Sequence, residues 1–64
     1  MIQPTEADTD RRVVWTDSAA QRREEGVFLR PHRTEGATGW TAAFIRFDNH
    51  PGEIKVSLSD LTWA

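Results

Sequence analysis

Residues 40–58, WTAAFIRFDNHPGEIKVSL, hold two strand-length apolar runs on either side of a polar break. Successive side chains of a strand point to opposite faces, so each run sorts into two sets. In the first run Thr41, Ala43, Ile45 and Phe47 share one face, and Trp40, Ala42, Phe44 and Arg46 share the other. The first set is the better core face because the second ends in an arginine. Asp48-Asn49-His50-Pro51-Gly52 is a turn by composition. Beyond it Ile54, Val56 and Leu58 point inward and Glu53, Lys55 and Ser57 outward, the cleanest alternation in the chain.

Working outward, Gly26 to Arg30 forms another strand, with Val27 and Leu29 on the core side and Phe28 opposite. Pro31 ends it by removing a ladder donor. His32 to Gly39 is a loop rich in Thr and Gly. Arg11 to Thr16, built on Val13-Val14-Trp15, is the first strand. Asp17 to Glu25 is ambiguous. Ser18 and Gln21 resemble a capping box and Gly26 a helix stop, but no apolar stripe supports a helix. It reads as a long polar loop with at most one helical turn. After Leu58, Ser59-Asp60 interrupts the alternation, and Leu61 and Trp63 form a short fifth strand entered through a 3₁₀ turn. The expected core is Val13, Val27, Leu29, Ala43, Ile45, Phe47, Ile54, Val56, Leu58 and Leu61, with Trp63 closing one end.

The chain has 64 residues and no cysteine, so disulfides and thiolate zinc sites are excluded. A core this small is marginal. Three Trp and three Phe supply its bulk. Net charge is −2, against a strongly basic nucleic-acid binder. Residues 1–10 carry Glu6, Asp8 and Asp10 and no base, and read as a disordered acidic tail ahead of a domain over 11–64. No run approaches the roughly 20 apolar residues of a membrane span, and no signal peptide is evident. The expectation is a cytoplasmic protein.

Five short strands suit a partly open barrel, which removes most exposed edges. The layout resembles the SH3-like small barrels, Tudor-type modules included. Val13-Val14-Trp15, Glu25-Gly26-Val27, Phe44-Ile45-Arg46-Phe47-Asp48 and the ending Val56-Ser57-Leu58-Ser59-Asp60-Leu61-Thr62-Trp63 carry the resemblance. The chain is also similar to short proteins encoded by bacteriophages and prophages, over roughly residues 11–63. The resemblance implies an all-β, five-stranded SH3-like barrel, and specifies fold far better than function.

Tudor-type barrels use aromatic cages, for which Trp15, Phe28, Trp40 and Phe44 are the candidates; core packing is the commoner use of such residues. Nucleic-acid binding is a second candidate, through Arg11, Arg12, Arg22, Arg23, Arg30, Arg33, Arg46 and Lys55 interleaved with Trp40 and Phe44. Glu24, Glu25 and Glu35 sit beside those bases and weaken it. The favoured expectation is a non-enzymatic module that binds a protein partner as a monomer or weak dimer, needing no cofactor. Its surface is expected at Arg30, Trp40, Phe44 and Arg46, on the outer side of the second and third strands. His32 and His50 lie in turns beside proline with no partnered nucleophile, so no catalytic residue is assigned. Asp48 with His50 falls short of a zinc ligand set, and no metal is expected.

Overall fold

The computed structural model describes all residues from Met1 to Ala64. The protein is all-β. Five antiparallel strands form one sheet: β1 (Arg12–Asp17), β2 (Arg22–His32), β3 (Ala42–Phe47), β4 (Ile54–Ser57) and β5 (Leu61–Trp63), in spatial order β4-β3-β2-β1-β5. The sheet is open. β4 and β5 are its edges, joined by a 3₁₀ turn at Leu58–Asp60 whose start is capped by Ser57.

The register fixes which side chains share a face. Trp63, Val13, Gly26 and Phe47 lie in one row across β5, β1, β2 and β3; Phe28, Ile45 and Ile54 lie in another. These rows point inward. The core is Val13, Phe28, Ala43, Ile45, Leu58 and Leu61, with Ile2, Trp15, Phe47, Val56 and Trp63 packed against it. Phe28 meets Trp63 edge-on with ring centroids 5.6 Å apart. The facings expected for β3 and β4 hold, with Ala43 and Ile45 wholly buried.

The expected facing of β2 does not hold. Gly26 and Phe28 point inward, whereas Val27 lies outward between Arg12 and Arg46 and both Val27 and Leu29 are only half-buried. On the inner face the phenyl ring gains the edge-to-face contact with Trp63. Gly26 fixes the choice. A Cβ there would lie 2.7 Å from the Arg46 carbonyl oxygen and 3.0 Å from both Ile45 Cγ2 and Phe47 Cα, so only glycine admits this approach of β3.

Of residues 17–25 only 18–21 form a connection, a turn of four residues, and none is helical. Asp17 Oδ1 accepts from the amides of Ala19 and Ala20, and Gln21 takes φ 53°, which closes a tight turn between paired Asp17 and Arg22. The acidic side chain captures the amides that would have begun a helix. Arg22–Glu25 is therefore strand.

Pro31 lies inside β2 rather than ending it. The last β1–β2 pair is Arg12 with Val27, so beyond it β2 has only β3 as a strand neighbour. A bulge at Leu29 resets the register, and the His32 carbonyl accepts from Thr41 on the β3 side. Alternation turns the Pro31 nitrogen to the unpaired side, where a missing donor costs no ladder bond.

The acidic arm expected to be free is laid against that unpaired stretch of β2. Asp10 N donates to the Phe28 carbonyl at 2.8 Å, and the Thr9 hydroxyl reaches the Leu29 carbonyl at 3.1 Å. Thr5 and Asp8 form a capping box around a 3₁₀ turn at Glu6–Asp8. Pro4 is buried and Ile2 packs on the core. Backbone groups left by the end of β1 need partners, and the arm supplies them.

Candidate functional site

Two surfaces stand out, one on each face of the sheet. The inner face is closed by the core at its middle and stays open at one mouth. There Trp15, Phe47, Ile54 and Val56 line a cleft of about 260 Å³, rimmed by Arg22, Glu24, Asn49 and His50. Trp15 and Phe47 come from β1 and β3 and meet edge-to-face, centroids 5.8 Å apart, across the strand that carries Gly26. All four apolar side chains are half-buried. The volume falls just below the roughly 300–1,000 Å³ of small-molecule sites and suits one or two amino-acid side chains.

The cleft borders a free strand edge. β4 pairs with β3 alone. The Leu58 amide donates to the Thr41 carbonyl, so the antiparallel alternation directs the amides of Ile54 and Val56 to β3 and those of Lys55 and Ser57 to the open side. Ile54 and Val56, whose side chains wall the cleft, thus belong to a strand that offers two unpaired donors beside it.

The outer face carries two cross-strand rows: Arg12, Val27 and Arg46, then Arg30, Phe44 and Lys55. Arg12 grips Asp48 through two bonds of 2.9 and 2.6 Å, and Arg30 grips Glu53 through two of 2.6 and 2.8 Å. Hydrogen bonding from its arginine holds each carboxyl below its ordinary pKa, and each arginine is raised further above its own. The Arg30 guanidinium also lies 4.2 Å from the Phe44 ring centroid, and His32 meets that ring edge-on at 5.6 Å. Arg11 repeats the arrangement over Trp63 at 4.0 Å, with Asp8 at its edge at 3.2 Å.

Of the residues expected to form one binding surface, Arg30 and Phe44 are in contact, and Arg46 lies in the next row of the same face. Trp40 is elsewhere. It sits 41% exposed beside Met1, Ile2, Gln3, Pro4 and Leu58, with Arg33 at 5.8 Å over its ring. The aromatics considered for a cage do not converge either. Phe28 is core, Phe44 is outward, Trp40 is against the arm, and Trp15 instead meets Phe47. The signal for that pair was Gly26, whose missing side chain lets β3 close onto β2 and brings Phe47 toward Trp15.

No group of three or more His, Cys, Asp or Glu side chains converges to hold a metal ion. No helix is long and apolar enough to cross a membrane. No family model, curated protein or solved structure matches this chain.

Proposed function

We propose that the chain is a small SH3-like, partly open barrel that works as a non-enzymatic binding module for a protein partner, an accessory or host-factor-binding role of the phage type. The strand order β4-β3-β2-β1-β5 and the 3₁₀ turn before β5 support the SH3-like reading. The partner presents an extended segment that adds a strand along β4 and sets an apolar side chain between Trp15 and Phe47. One observation carries this reading: four half-buried apolar side chains line a cleft directly beside an unpaired strand edge. Main-chain bonds to the edge supply affinity, and the cleft supplies selectivity.

Selection from a displayed random-peptide library tests it. Recovered peptides are expected to share an apolar anchor and to lose about tenfold or more in affinity against Lys55→Pro, which removes an outward amide without touching the β3 ladder. Lys55→Glu keeps that amide and is expected to bind normally. Peptides that bind Lys55→Pro and Phe47→Ala as tightly as the unaltered protein would refute the reading.

A further inference from the structure

We infer that the outer face of the sheet is a second, separate site, which takes a single-stranded nucleic acid along the rows Arg12–Val27–Arg46 and Arg30–Phe44–Lys55. It lies on the side of the sheet opposite the cleft, so it stands or falls independently of the peptide reading.

Charge supports it first. The two rows hold four cations against the clamping carboxylates Asp48 and Glu53 and against Glu25 beside Arg12, a local surplus of one in a chain whose total is −2. Arg46 and Lys55 have no carboxylate within ion-pair distance, so neither must give up a partner to meet a phosphate. Spacing supports it next. Arg46 and Phe44 are two residues apart on β3, which separates the rows by about 7 Å. That is of the order of the phosphate step in an extended single strand, so one backbone can meet both rows.

The third observation distinguishes a nucleic acid from a merely acidic ligand. The Arg30 guanidinium is held from two directions, its Cζ 4.2 Å from the Phe44 ring centroid and both its terminal nitrogens bonded to Glu53, while its side chain remains 51% exposed. Its upper face is a flat, pre-oriented platform, and bases stack on such planes. Arg30 would stack a base, and Arg46 on β3 and Lys55 on β4, both on one side of it, would hold the phosphates.

The test is fluorescence anisotropy with a labelled oligothymidine of about 15 nucleotides, at about 50 and about 200 mM salt. Binding is expected at the lower salt and is expected to weaken at the higher. Arg46→Glu with Lys55→Glu should reduce affinity about tenfold or more and flatten the salt slope by about 1.4, two single-strand phosphate contacts at roughly 0.7 each. Arg30→Lys keeps the charge and loses the plane, so affinity should fall about fivefold with the salt slope unchanged. All these side chains are exposed, and melting temperatures confirm that the variants fold. No binding at low salt, or binding that the double variant leaves intact, overturns the inference. So does displacement by polyglutamate as effective as displacement by unlabelled oligothymidine at equal charge, which would make the face an acidic-peptide site.

Discussion

Phe28 is the side chain on which the inner face turns, and replacing it has a calculable cost. It is wholly buried and meets Trp63 edge-on. Phe28→Leu leaves about 20 Å³ unfilled, which at about 24 cal/mol per Å³ costs roughly 0.5 kcal/mol. Losing the edge-to-face pair adds about 0.5–1.5 kcal/mol. The sum is about 1–2 kcal/mol, against a total of roughly 3–10 kcal/mol for a chain of 64 residues. Phe28→Ala, at about 3–5 kcal/mol, removes much or all of that total. Leu29→Ala, at a half-buried bulge position, should cost about 1 kcal/mol. Urea titration followed by tryptophan fluorescence measures all three, with the slope of free energy against denaturant unchanged if only stability is altered. If Phe28→Leu leaves the midpoint in place while Leu29→Ala lowers stability by more than about 2 kcal/mol, the facing of β2 is inverted and the reasoning fails.

Further outcomes follow from the same contacts. Gly26→Ala should cost about 1–3 kcal/mol, since its Cβ would press on the β3 backbone at 2.7 Å; an unchanged melting temperature would contradict that approach. Stability should hold from neutral pH down to about 5 and decline as pH falls through about 4, because Asp8, Asp48 and Glu53 have folded-state pKa values below their unfolded ones. Such groups stabilise only while ionised, and the loss comes as they protonate. Asp48→Asn with Glu53→Gln should flatten that decline, and a thermal melt series against pH decides it. Deleting residues 1–9 strips Ile2 and Pro4 from the core and Thr9 from Leu29, so hydrogen exchange at residues 28–30 should quicken and the melting temperature drop. Exchange that stays unchanged there would mean that the arm contributes nothing to the sheet.

Much of the strand plan was legible because alternation is a local property. Residues 42–47 and 54–58 face as their patterns predict, and the 3₁₀ entry to β5 follows from Ser59-Asp60 breaking the alternation. What was not legible depends on partners distant in sequence. Val27-Phe28-Leu29 is apolar throughout, so its facing is set by which face Gly26 must present to β3, and no local pattern carries that. Arg22–Glu25 looks like a polar loop until Thr16 and Asp17 are placed opposite it as strand partners. The arm looks free because its composition is polar. Its anchor is the stretch of β2 left bare where β1 ends, a consequence of unequal strand lengths. For the sites, alternation placed Phe44 outward, but Arg30 reaches it only because the bulge at Leu29 turns Arg30 out after inward Phe28, and the Trp15–Phe47 cleft was not legible. Phe47 reads as core in its own strand, and only the register across Gly26 leaves it half-open beside Trp15.

In the proposed function β4 is the open edge that receives a partner strand beside the Trp15–Phe47 cleft. Residue-resolved amide exchange, with and without a peptide selected on this protein, tests it most directly. In the free protein the Lys55 and Ser57 amides should exchange fast while those of Ile54 and Val56 are slowed by the β3 ladder. With peptide bound, Lys55 and Ser57 should become protected and the Trp15 indole resonance should shift. A bound peptide that leaves Lys55 and Ser57 exchanging as fast as before would contradict it.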